Sequence, residues 1–158
     1  MRRNFVKTLD ELLEKDKNIF LIAVDVGYGV LEPIKEKYPE NYINTGIGEQ
    51  NAVGVATGLA LKGKIPFIYT INSFLAFRAL EQIRMASHMN QHIVLVGTGK
   101  EDEYTNQGIS HYSFGDEQIL NAIPNLKVFT PKTKEEVAVQ VKKAYELDGA
   151  SYIRLSRF

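Results

Sequence analysis

The sequence predicts an α/β fold of three layers, with a mostly parallel sheet covered on both faces by helices. Short apolar runs at Ile19–Val24 (IFLIAV), Pro66–Ile71 (PFIYTI) and Ile93–Val96 (IVLV) lack polar alternation, as strands buried on both faces do. The segments between them carry helical periodicity. Strand and helix then alternate along the chain, an order that favours parallel pairing through crossover helices.

Each element has its own signal. Asn4 to Lys15 sets Phe5, Leu9, Leu12 and Leu13 on one helical stripe. The first strand ends before Asp25 and Gly27, and a helix from Leu31 to Tyr38 stops at Pro39. Tyr42 to Asn44 is a short strand leading into Thr45-Gly46-Ile47-Gly48 and a central helix. After the strand at 66–71, Phe74 to Met89 reads as one long helix, followed by the strand at 93–96. Thr98 to Ser113 is a polar loop holding Gly99, Gly108 and His111. Asp116 to Ile123 is helical up to Pro124, and Leu126 to Thr130 is a strand. Lys134 to Leu147 forms a helix with Val137, Val141, Ala144 and Tyr145 inward, and Tyr152 to Leu155 is the last strand. In such sheets chemistry gathers beyond the carboxyl ends of the strands. That rule lines up Asp25, Gly46 to Glu49, Asn72 to Phe77 and the 98–113 loop.

Length and composition narrow the class. The 158 residues are read as one domain, 1–158, large enough for a proper core. Nineteen basic and nineteen acidic residues balance, which favours neither nucleic acid nor an anionic membrane as partner. Cysteine is absent, which excludes disulfides and thiolate metal sites and fits a cytosolic, cytoplasmic setting. The basic start lacks an apolar signal region, and no apolar run reaches the roughly 20 residues of a membrane-spanning helix. A soluble chain is expected.

The unusual chemistry lies in Asn44 to Gly63. Glycines 46 and 48 permit a tight turn and close backbone approach. Glu49 then stands in the first turn of a helix whose residues 52–61 are apolar or small on every side. A helix without a polar face is expected to be buried all round. Gly54 and Gly58, one turn apart, form a groove where a second helix can lie close. An acid in a first turn ordinarily just complements the helix dipole. At the head of a buried helix it is expensive unless something uses it.

Other motifs carry less. Asn51 stands where a dinucleotide fingerprint needs its third glycine, and no Gly-Lys-Ser/Thr phosphate loop exists. His88, His92 and His111 lack ligand spacing, so no metal is assigned to this chain. Phe74 and Phe77 share a helical face just beyond a strand end, and from pattern alone they suit either a core or the wall of a flat ligand ring.

The segments GIGEQNAVGVATGLALKG, SFLAF, the glycine–histidine loop, AIPNLKVFTPKTKEEV and YIRLSR follow one another in a familiar order and spacing. With them the chain resembles the pyrimidine-binding domain of transketolase-like thiamine diphosphate enzymes, which include transketolase and deoxyxylulose-phosphate synthase. The similarity runs from about Phe20 to Arg157. It implies the thiamine diphosphate-binding fold of pyrimidine-domain type. It also implies that Glu49 is catalytic, bonding the ring nitrogen of the aminopyrimidine and favouring the imino tautomer that deprotonates the thiazolium carbon. A carboxyl among apolar helices, with a raised pKa, suits that role. By the same resemblance Phe74 and Phe77 pack on the cofactor ring and Asp25 lies near it. His111 faces substrate and intermediate, Gln107 lies in the substrate loop, and Arg157 reaches a substrate phosphate.

The family holds the diphosphate through a divalent metal on a separate domain, in a Gly-Asp-Gly…Asn motif that these residues lack. The expectation is therefore half a site. A separately encoded diphosphate-binding partner would carry the magnesium or calcium ion, in a heterotetramer of two plus two that allows self-association. Departures bear on the substrate. Gln107-Gly108-Ile109-Ser110-His111 replaces Asp-Gly-Pro-Thr-His, Gly99 and Gly29 stand where a phosphate-binding histidine and serine occur, and Leu80 replaces a tyrosine near the pyrimidine. Ketol transfer on a sugar or keto substrate, or related acyloin chemistry, is the leading expectation. The alternatives are a small subunit of a 2-keto acid decarboxylase and a non-catalytic structural or regulatory subunit.

Overall fold

The computed structural model describes residues 1–158. Six strands, β1 (Ile19–Ala23), β2 (Tyr42–Asn44), β3 (Ile65–Ile71), β4 (Val94–Thr98), β5 (Lys127–Phe129) and β6 (Ser151–Leu155), form one sheet in the order 2-1-3-4-6-5. Every pairing is parallel. The helices are α1 (Arg2–Lys15), α2 (Glu32–Lys37), α3 (Glu49–Ala60), α4 (Leu80–His88), α5 (Asp116–Asn121) and α6 (Lys134–Glu146). None is long and apolar enough to cross a membrane.

Two apolar layers sandwich the sheet. On one face Phe5, Leu9, Leu13, Val137, Val141 and Ala144 of α1 and α6 pack on Leu21, Phe67, Val94 and Ile153. On the other, Ala52, Val53 and Ala56 of α3 and Ile83 of α4 pack on Ile22, Ile68, Leu95 and Tyr152. Successive strand residues point to opposite faces, so both faces need apolar side chains, which is why these strands read as unbroken apolar runs. Thr133 caps α6 by accepting a bond from the Glu136 amide at 3.2 Å, which satisfies one of the free amides at the helix start.

Two expectations need correction. The helix expected over 74–89 is broken: Phe74–Arg78 forms a π-helical turn, and Ala79 leaves helical geometry before α4 begins. The central helix is not buried all round within this chain. Ala52, Val53 and Ala56 are buried, but Gln50, Asn51, Gly54, Gly58 and Leu61 are not, and a methyl group placed on Gly54 or Gly58 would touch nothing within 4 Å. One sheet face can cover only one side of a helix.

Candidate functional site

Beyond the carboxyl ends of β1 to β4 the chain turns from β2 into α3. Gly46 adopts a left-handed φ of +71°, which favours glycine, whereas Gly48, at φ −170°, is ordinary extended backbone at the head of the helix. The Glu49 side chain turns inward and is 4% exposed. Arg78 Nη1 donates to its Oε2 at 3.2 Å and to Oε1 at 3.4 Å, and the Thr70 hydroxyl of β3 lies 3.4 Å from Oε1. The carboxylate is thus ion-paired rather than isolated among apolar groups, which corrects the expectation of an apolar setting. An open pocket of about 520 Å³ lies over it, lined by Ile47, Gly48, Glu49, Gln50, Asn51 and Arg78.

Arg78, four residues past Phe74, comes over the Phe74 ring with its Cζ 3.6 Å from the centroid, a spacing at which two side chains share one helical face. Phe77, which α-helical spacing would place beside Phe74, is instead 42% exposed. On another side Phe74 meets the edge of His111, centroids 4.6 Å apart at 62°. His111 lies 6.1 Å from Tyr104, and Arg157 stacks its guanidinium 4.8 Å from the Tyr104 centroid. Glu49, Arg78, Phe74, His111, Tyr104 and Arg157 therefore form one continuous row.

Asp25 and Gln107 stand apart from that row. Asp25 is exposed at φ 50°, clasped by Asn44, whose Oδ1 accepts from the Asp25 and Gly46 amides at 3.1 and 3.0 Å. It opens on a separate hollow of about 360 Å³ with Gly27, Tyr28 and Tyr42. Gln107 is exposed on a short 3-10 turn. Arg157 also borders a hollow of about 440 Å³ with Arg2, Arg3 and Lys134.

The loop that carries His111 is anchored from below. Asn72 Nδ2 donates to the Gly99 carbonyl at 2.9 Å, Ser73 Oγ to the Ser110 carbonyl at 3.0 Å and Ser113 Oγ to the Gly99 carbonyl at 3.0 Å. Gly99 takes φ +88°, and a side chain there would collide with the Tyr104 ring, which fills its space. Under the loop, Arg154 Nε donates to both oxygens of Asp116 at 2.9 and 3.0 Å, and its Nη1 to Glu101 at 2.8 Å. The Tyr152 hydroxyl lies 2.9 Å from Asp116 Oδ2 and 2.8 Å from Asn72 Oδ1. Burial, reinforced by the Asp116 charge, pushes the Tyr152 phenol well above its ordinary pKa. Burial opposes the Arg154 charge, but its bonds to Asp116 and Glu101 outweigh that and hold its pKa above the usual value.

Sequence reasoning missed Arg78, Tyr104 and the Asp116–Arg154 pair. A basic residue four positions after Phe74 and a charged residue inside an apolar strand were the available signals.

A family profile described as "Transketolase, pyrimidine binding domain" matches residues 1–158. A Methanocaldococcus jannaschii protein described as "Putative transketolase C-terminal section" is 31% identical over 159 residues, covering 99% of this chain and 50% of that protein. A Phocaeicola vulgatus protein, named as one of the subunits of an apulose-4-phosphate transketolase, is 28% identical over 158 residues, covering 99% of this chain and 51% of that protein. A solved structure described as "Split gene transketolase, inactive beta4 tetramer" superposes with a TM-score of 0.87 at 34% identity, covering 99% of this chain and 51% of its own. The chain spans about half the length of these relatives.

Proposed function

The chain belongs to the transketolase pyrimidine-binding domain family, and from that membership we propose that it supplies the aminopyrimidine half of a thiamine diphosphate site in a split transketolase-like enzyme. The observation that carries this reading is Glu49, buried at the head of α3 with its carboxylate beside the face of Phe74 across a planar cation. A buried acceptor next to an aromatic face suits a flat, nitrogen-bearing ring, so the residues present fit the cofactor's pyrimidine end. When bound, thiamine diphosphate supplies the nucleophilic carbon that two-carbon ketol transfer or related acyloin chemistry needs. Glu49 would accept the ring-nitrogen bond and share its proton once the partner closes the pocket over it. Phe74 gives one stacking face, and Phe77 becomes useful if the partner closes over it. His111, 4.6 Å from Phe74, orients the sugar or keto substrate and moves its proton. Arg157 meets the anionic end of that substrate, while Asp25 and Gln107 line the outer rim.

In this reading residues 1–158 act as one pyrimidine-binding domain. The diphosphate and its magnesium or calcium ion belong to a separately encoded partner, two copies of each chain assembling in the cytoplasm. The bare face of α3 supports the need for further surface. So do a relative named as a subunit of a transketolase and a similar structure described as an inactive beta4 tetramer. Calorimetry with thiamine diphosphate tests the split: this chain alone should bind weakly or not at all, and tight stoichiometric binding would refute it. In the complex reconstituted with its diphosphate-binding partner, Glu49→Ala and Glu49→Gln should each remove at least about two orders of magnitude of turnover. A near-normal rate would refute the role of Glu49.

A further inference from the structure

We propose that Arg78 is a built-in occupant of the pyrimidine seat, holding in the empty chain the two contacts that the cofactor ring must take over. The inference rests on the reading of Glu49 and Phe74 given above and adds a step before loading. A guanidinium is flat, delocalised and cationic, with donors along its edge. Here its Cζ lies over the Phe74 ring, 3.6 Å from the centroid, while one nitrogen bonds both oxygens of Glu49 at 3.2 and 3.4 Å. A protonated aminopyrimidine would present the same combination, a ring face to Phe74 and an N–H to Glu49. Two flat groups cannot share that place, and His111 already takes up another side of the Phe74 ring.

The side chain is also placed to leave. It is 45% exposed, sits at the last residue of the π-helical turn and borders the pocket over Glu49. While it stays, the buried carboxylate is neither unpaired nor open to water, a state that would otherwise be costly. Loading therefore exchanges one cation for another at Glu49, and Arg78 moves into solvent. The contacts it gives up, an ion pair with one exposed partner and a cation–π stack, set the size of the competition.

The test is a thiamine diphosphate titration of the reconstituted complex by calorimetry, comparing wild type, Arg78→Met and Arg78→Lys. Arg78→Met should bind about five- to tenfold tighter. Arg78→Lys, which keeps a charge but has no flat face, should fall between, and it serves if melting curves show the methionine variant unfolded. Equal or weaker binding by the folded variants overturns the proposal while leaving the pyrimidine reading intact. Failure of every form to bind sinks that reading and this inference with it. NMR of arginine-labelled protein gives a second readout: Arg78 guanidinium protons should carry a ring-current shift from Phe74 that disappears on loading. A shift that persists in the loaded complex overturns the proposal.

Discussion

Removing Asp116 should destabilise the chain more than removing any exposed charge. Asp116 is 1% exposed, Arg154 4% and Tyr152 fully buried. With the carboxylate gone, as in Asp116→Leu, Arg154 keeps only the half-exposed Glu101 and a long 3.3 Å contact to Ser113. Breaking one side of a buried ion pair costs about 3–5 kcal/mol, because the remaining charge is left uncompensated. Against a total stability of about 5–15 kcal/mol for a domain, that is a large fraction. With a urea slope of about 2 kcal/mol per molar, the midpoint should fall by about 2 M. The double variant Asp116→Leu/Arg154→Leu removes both charges and should recover most of the loss, to within about 1 kcal/mol of wild type. Urea titrations followed by far-ultraviolet circular dichroism measure all of these. A single-variant loss below about 1 kcal/mol, or a double variant as unstable as the sum of the singles, would refute the reasoning.

Gly97→Ala should cost about 1–3 kcal/mol, because its Cβ would lie 2.0 Å from Asn72 Oδ1 and 3.0 Å from the Asn72 Cα, so backbone as well as side chain must move; a melting temperature equal to wild type would contradict this. His92 gives a pH dependence. Burial lowers its pKa below the usual 6.5, the Ala144 backbone bond and the Asp148 charge offsetting this only in part. Both states are neutral there above about pH 7, whereas below about pH 6.5 the unfolded chain takes up a proton that the fold resists. Stability should therefore fall between about pH 7 and pH 5.5, less steeply in His92→Gln. Parallel melting curves for the two proteins across that range would count against it.

What the sequence revealed depended on whether a feature is local. Strand runs such as IFLIAV and the stripe of Phe5, Leu9 and Leu13 translate directly into buried surfaces, so the alternation and the parallel sheet were legible. So was Glu49 at the head of α3, since its turn and helix are contiguous. The partner of Glu49 was not. Arg78 stands four residues after Phe74, a spacing that sets the two on one helical face, but nothing local shows that this face meets Glu49, 29 residues earlier. Asp116 and Arg154 lie 38 residues apart, and nothing in either neighbourhood names the other.

The central helix shows a further limit that is itself informative. Its composition predicts burial on every side, whereas its exposure in this chain reflects cover by one sheet and its neighbours. The two differ along Gly54, Gly58 and Leu61. Exposed Ile47, Met85 and Met89 add to the apolar surface of the α3 and α4 layer. Isolated apolar residues on a surface need no explanation, but a helix lacking a polar face is seldom stable facing water. The mismatch therefore measures what is still to be covered. Exposed Ile47 lines the pocket over Glu49, so whatever covers this face of α3 also closes over that carboxylate. Cofactor loading and subunit assembly would then be coupled through the same few residues, with Arg78 holding the charge until both occur.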